Sequence, residues 1–226
     1  MALDWIIGGV VVTLRRSARA RRMTLRVGRS DGRVTLTVPQ GMADAQARAF
    51  ADGHAGWIAR QVAAVPPPRT VRVGGTLPVA GREVPVIAGG GRSARWTGAV
   101  VSVPDDDRAG PRVATLLRRM ARDRLVEAAG RHAVALGRTH GRVTLRDARS
   151  RWGSCSGRGD LMFSWRLILA PPEVLDYVAA HEVGHLAHMD HSPRFWACVE
   201  RLMPDYAPRR AWLRRHGAAL HAIDFG

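Results

Sequence analysis

The chain has 226 residues, 46% hydrophobic and 24% charged, which is enough for one large domain or two small ones and excludes a disordered or fibrous protein. Two cysteines, Cys155 and Cys198, cannot form a disulfide framework, and the apolar run Trp5 to Leu14 is too short to span a bilayer and lies ahead of its arginines, unlike a signal peptide, so a soluble cytoplasmic protein is expected. The net charge is +16 and all 35 basic residues are arginine, which also excludes a P-loop lysine, a Schiff base and a Ser-Lys dyad.

The charge is uneven. Residues 1–104 hold 15 arginines against 5 acids, and the remainder 20 against 14, giving +10 and +6. Seven arginines fall between Arg15 and Arg29. A field of that sign attracts nucleic acid, nucleotides or other polyanions; a solvated face in an arginine-rich chain is the plainer alternative.

In chain order, Met23, Leu25 and Val27 alternate with polar residues, as do Val34, Leu36 and Val38, which predicts two half-buried strands joined by a hairpin at Asp31-Gly32. From Ala43 to Ala63 an alanine-rich stretch with Phe50, Trp57, Ile58 and Val62 predicts one helix, ended by Pro66-Pro67-Pro68. Short valine-rich strands follow to Val103, with Gly89-Gly90-Gly91 as a turn, and 105–111 reads as a linker. Beyond it, Val113, Leu116, Leu117, Met120, Ala121, Leu125 and Ala128 recur at helical spacing, and Val143 and Leu145 mark a short strand. Alternation from Leu161 to Leu169 predicts another strand, stopped by Pro171-Pro172. Helices are then expected from Pro172 to about Met189, Pro193 to Met203 and Ala207 to Leu220. The fold class is therefore α+β: a β-rich basic N-terminal domain over 1–104 with one helix, and a mainly helical domain over 111–226.

Four of the nine histidines lie between His181 and His191. His181 and His185 are one helical turn apart, so both imidazoles project from one face and can share a metal ion, with Glu182 beside them: the pattern HExxH. A catalytic zinc takes three protein ligands and keeps a position open, and His191, six residues on, is the preferred third, with His188 and Glu200 as competitors. Zinc suits this ligand set, although manganese, cobalt and nickel occupy similar sites. Zinc lowers the pKa of its bound water, and Glu182 then acts as general base and acid. Tyr206, Arg151, Ser154 and Arg209 are unranked candidates for a further donor to the oxyanion or substrate. Cys155 as a nucleophile would leave the histidines unexplained.

The runs Ser150-Arg151-Trp152-Gly153-Ser154-Cys155-Ser156, Phe163-Ser164-Trp165-Arg166-Leu167, Tyr177-Val178-Ala179-Ala180-His181-Glu182-Val183-Gly184-His185-Leu186 and His191-Ser192-Pro193-Arg194-Phe195-Trp196 resemble the YgjP-like metallopeptidase-domain family. Pro204-Asp205-Tyr206, Trp212-Leu213, Arg19-Ala20-Arg21-Arg22 and Trp57-Ile58 extend the resemblance over nearly the whole chain. It implies a zincin-like C-terminal domain with zinc at His181, His185 and His191 and Glu182 as the catalytic residue. It also implies kinship with SprT-like and WLM-type zinc proteases, some of which cleave proteins crosslinked to DNA. Ser164 departs from the family's usual asparagine, and His188 replaces the glycine that a metzincin would need.

The leading expectation is a zinc-dependent hydrolase of peptide bonds, acting on a polypeptide and recruited to nucleic acid or another polyanion by the arginine-rich N-terminal part. One alternative keeps the metal site but makes it a nucleotide (UTP-type) pyrophosphohydrolase, an activity attributed to the same family, with arginines gripping phosphate. The other is a nucleic-acid-binding protein with a structural zinc, against which three histidines and an adjacent glutamate argue, because structural sites are closed by four ligands.

Overall fold

The computed structural model describes residues 3–28 and 31–226. The chain forms two compact units, Met1–Pro67 and Pro68–Gly226. Arg29, the last of the seven clustered arginines, lies outside the described residues.

In the first unit, β1 (Leu3–Ile7), β2 (Val10–Ser17), β3 (Thr24–Val27) and β4 (Val34–Pro39) form a sheet of order β1-β2-β4-β3. β1 and β2, which the sequence reading did not assign, are a hairpin whose turn residues Gly8 and Gly9 both have positive φ. β2 and β4 run parallel, aligning Val12 with Val34 and Leu14 with Leu36, so the buried residues of both strands share one face. The expected hairpin between β3 and β4 is present as an antiparallel pair. The single helix expected over 43–63 is instead two, α1 (Asp44–Gly53) and α2 (Ala55–Ala63). Gly53 is a weak helix former, and His54 leaves the helical region at ψ 8° while its Nδ1 engages the Phe50 carbonyl at 2.8 Å. Ala47, Ala51 and Ile58 of these helices join Trp5, Val12, Leu36 and Val38 in the unit's core.

In the second unit, β5 (Arg69–Thr70) pairs in parallel with β13 (Ile223–Asp224), tying the unit's first residues to its last. Strands β6 (Thr76–Val79), β7 (Arg82–Ala88), β8 (Arg95–Trp96) and β9 (Val101–Val103) form a sheet of order β6-β7-β9-β8. The 28-residue helix α3 (Ala109–Leu136) follows and ends at Gly137 in the left-handed conformation. A second sheet, of order β10-β12-β11, joins β10 (Val143–Arg146), β12 (Leu161–Ser164) and β11 (Gly153–Cys155), the last an edge strand. Helices α4 (Pro172–Gly184), α5 (Pro193–Leu202) and α6 (Tyr206–His221) complete the fold.

One hydrophobic core runs through this unit from Val71 to Phe225. The inward residues Leu77, Val79, Val84, Val86, Val101 and Val103 belong to the same core as Val113, Leu116 and Leu117 of α3. The division therefore falls at Pro67 and not in the 105–111 segment, because a small twisted sheet must bury its apolar face and α3 supplies the cover. The strand expected over 161–169 ends at Ser164 and continues as a 3-10 turn over Trp165–Leu169. All five turn residues are buried, so no solvent face exists to sustain a two-residue period. The architecture is α+β, a β-rich N-terminal part followed by a helical region. No helix among the described residues is long and apolar enough to cross a membrane.

Candidate metal centre

The last turn of α4 carries His181, Glu182 and His185. Pro172 starts this helix with its φ already suited to a first turn, and Val174, Val178 and Val183 bury its inner side. The helix ends at Gly184, five residues earlier than expected, with His185 as its C-cap at φ −66° and ψ −17°. His185 thus keeps its helical relation to His181, while the chain from Leu186 onward is free to fold back. Ser192 then caps α5, its Oγ accepting from the Phe195 N–H at 3.5 Å, and Pro193 occupies the first turn. That fixed helix start holds His191 in place.

Each of His181, His185 and His191 offers a ring nitrogen, and these three atoms lie within 4.8 Å of one another. The Nε2 atoms of His181 and His191 are 3.2 Å apart. His185 Nδ1 donates to the His188 carbonyl at 2.9 Å, which fixes the tautomer and leaves its Nε2 lone pair for a ligand. Burial, with help from His185, His191 and Arg210, pushes His181 down to about 3, and burial likewise lowers His185. Neutral imidazoles with converging lone pairs are the donor set that a divalent metal requires, so the three residues fit an ion.

Phe195 is fully buried and touches all three rings, with centroids 4.9 Å from His181, 4.4 Å from His185 and 4.9 Å from His191. Its burial contributes roughly 1.5–3 kcal/mol and fixes the rings as a group. Gly184 allows this approach, since a Cβ there would lie 3.2 Å from Phe195 and from Val199.

Glu182 is 6% exposed, and burial pushes its carboxyl up to about 8, with Arg151 acting weakly in the other direction. A Cβ at Gly153 would lie 2.5 Å from the Glu182 Cγ and Oε1, so β11 passes directly against the carboxylate only because that position has no side chain. Trp152, the preceding residue, is stacked on His221 at 4.4 Å and packs on Gly217, where a Cβ would lie 3.0 Å away. These contacts hold the strand that walls the carboxylate.

A cleft of about 470 Å³ opens over the three histidines and Glu182. Arg151, Ser154 and Cys155 line it. Tyr206 and Arg209 do not. Tyr206 instead stacks on Trp196 at 5.4 Å and Tyr177 at 6.3 Å, while Arg209 pairs with Asp205 at 2.6 Å. His188 contributes only its carbonyl, and Glu200 faces solvent on α5, so neither competitor joins the cluster. Burial raises the Cys155 thiol, with Glu182 and Asp160 adding to the effect, which keeps it protonated and a poor nucleophile. Ser164 is fully buried with its Oγ unpartnered among the described residues.

The sequence reading missed Phe195, Gly153 and Gly184 as parts of this centre. A glycine inside the histidine pair and an aromatic pair just after His191 were the available signals. Their meaning depends on which helix lies against which.

The sequence pattern of the YgjP-like family, described as a metallopeptidase domain, matches residues 21–216. No curated protein matches the chain. Among solved structures, the metallopeptidase zymogen of Pyrococcus abyssi abylysin is similar over 41% of this chain and 92% of its own, at 21% identity and a TM-score of 0.37.

Proposed function

The chain belongs to the YgjP-like metallopeptidase-domain family, and from that premise we propose that it is a zinc-dependent peptidase in which His181, His185 and His191 hold the ion and Glu182 is the general base. The observation that carries this reading is the convergence of three imidazole nitrogens within 4.8 Å beside a buried glutamate that faces a cleft. When bound, zinc supplies a Lewis acid that acidifies water and polarises a carbonyl. Glu182 takes the proton from the attacking water and delivers it to the departing amine. Arg151 and Ser154 line the cleft, which favours them among the candidates to steady a developing oxyanion. Tyr206 and Arg209 would need to move to share that role.

A peptide is favoured over a nucleoside triphosphate for two reasons. β11 is an edge strand whose residues Gly153, Ser154 and Cys155 line the cleft, so its unpaired backbone groups can hydrogen-bond an extended polypeptide. Among the described residues the cleft lining holds one arginine, Arg151, where a triphosphate would call for several. The free thiols of Cys155 and Cys198 are in keeping with a cytoplasmic setting.

The test offers zinc-loaded protein an unfolded polypeptide in one arm and nucleoside triphosphates in the other. Peptide fragments that vanish with Glu182→Gln, while zinc content stays at one ion, are the expected result. His191→Ala should fail to retain zinc through dialysis. Glu182-dependent release of pyrophosphate without peptide fragments would replace this reading by the pyrophosphohydrolase one.

A further inference from the structure

Within the second unit, four arginines converge on a pocket of about 420 Å³ between the loop before β8 and the outer face of α3: Arg92, Arg95, Arg112 and Arg119. The pocket is floored by Ala94 and Leu116. Arg112 is engaged by Asp106, but among the described residues Arg92, Arg95 and Arg119 form no ion pair. Like charges gathered without counter-charge repel one another, and neither α3 nor β8 needs them for packing, since all three side chains are exposed. Arg122 extends the row: Arg112, Arg119 and Arg122 lie within about 80° of helical arc and span about 15 Å of α3.

We propose that this arginine pocket and the α3 row beside it bind the phosphodiester backbone of a nucleic acid. Guanidinium groups pair bidentately with phosphate oxygens, and the helix holds Arg112, Arg119 and Arg122 on one side. A phosphodiester backbone carries one charge on every nucleotide, so a row about 15 Å long can meet more than one phosphate of the same strand. An acidic peptide carries its carboxylates on flexible side chains and pays more conformational entropy to align them. The surface lies apart from the metal cleft, with no lining residue in common, so the proposal stands whether or not the peptidase reading does. It also differs from the sequence-based expectation, which placed polyanion binding on the arginines near the N-terminus.

The experiment measures anisotropy of a short labelled oligonucleotide, single-stranded and duplex, with the full chain across a range of salt concentrations. Polyglutamate serves as a competing polyanion. The triple variant R92Q/R95Q/R119Q should bind about tenfold or more weakly near 0.1 M salt, and its slope of log affinity on log salt should be shallower by about 2–3. Removing the same charge elsewhere, in R19Q/R21Q/R22Q, should have a clearly smaller effect. Matching thermal unfolding of the two variants guards against a folding artefact; should the first triple fail to fold, R119Q alone should lower the slope by about 1. Equal weakening by both triples would show that net charge alone binds and would overturn the proposal. So would displacement by polyglutamate as effective as by unlabelled oligonucleotide, or no binding of the oligonucleotide at all.

Discussion

Glu182 and Arg166 are buried to the same extent, each 6% exposed, yet their surroundings treat the charge in opposite ways. Arg166 gives its Nε and Nη2 to Asp147 at 2.6 and 3.1 Å, and its Nη1 to the carbonyls of Leu220 and Ile223 at 3.0 and 2.7 Å. Its guanidinium also lies 5.0 Å from the Trp165 ring and 5.4 Å from the Phe225 ring. Glu182 accepts no hydrogen bond among the described residues and faces a cleft, with only Arg151 nearby to favour its ionised form. A buried charge with every bond made joins structural elements: Arg166 links the loop at Asp147, the 3-10 turn and the C-terminal strand. A buried charge left without bonds raises the energy of its own ionised state.

Exchanging the two groups for neutral ones should separate these roles. For Glu182→Gln, hydrolysis should fall by about 10²–10⁴-fold while the thermal midpoint of the metal-free protein holds or rises, since an unfavourable buried carboxyl is removed. A midpoint several degrees lower would mean that Glu182 is a structural residue. For Arg166→Met, stability should drop by about 3–5 kcal/mol in denaturant titration, because Asp147 and two carbonyls lose their donor together. Retention of full stability would show that the clasp is not what holds the C-terminal strand.

Smaller changes sharpen the contrast. Gly153→Ala should displace the Glu182 carboxylate and cost about 10–100-fold in kcat with stability altered by less than about 1 kcal/mol, because a shift of an ångström at a catalytic group is enough to lose rate. An unaffected kcat would mean that the carboxylate tolerates movement and that β11 does not position it.

The smallest effect concerns pH. Burial, followed by the nearby Arg166, pushes His221 down to about 4 from its ordinary 6.5, with Asp147 opposing. Between those values the unfolded chain binds more protons than the native one, so stability is fully present above pH 6.5 and is lost as pH falls toward 4. Allowing for screening at a partly exposed ring, the loss should be about 1–2 kcal/mol. It is measured as the difference between chelated wild type and His221→Phe across that range, which cancels the protonation of the three clustered histidines. Identical pH profiles would show that the stack on Trp152 does not depend on a neutral imidazole.

Much of the centre is legible in the sequence. One helical turn separates His181 from His185, and that spacing alone directs both rings to one side of α4. His191 is expected as the third from ligand number and spacing, and its ring nitrogen lies within 4.8 Å of those of His181 and His185. The unranked donors separated only in three dimensions: Arg151 and Ser154 reach the cleft, whereas Tyr206 is taken up in a stack with Tyr177 and Trp196. The boundary between units was misplaced because a linker and a tight connection between a sheet and the helix that covers it are both polar and short of secondary structure. Which of them divides the chain depends on whether the apolar faces on either side bury against each other, as those of β6–β9 and α3 do.

Local pattern determined the helix bearing the paired histidines, the alternating strands of the first unit and the overall excess of positive charge, because each depends on residues within a turn or two of one another. Tertiary structure alone decided that Phe195 backs all three imidazoles, that Gly153 clears the space Glu182 occupies, that the 161–169 strand winds into a turn, and that arginines from β8 and α3 gather around one pocket. Those are contacts between segments far apart in the chain, and their energies appear only when burial brings the segments together.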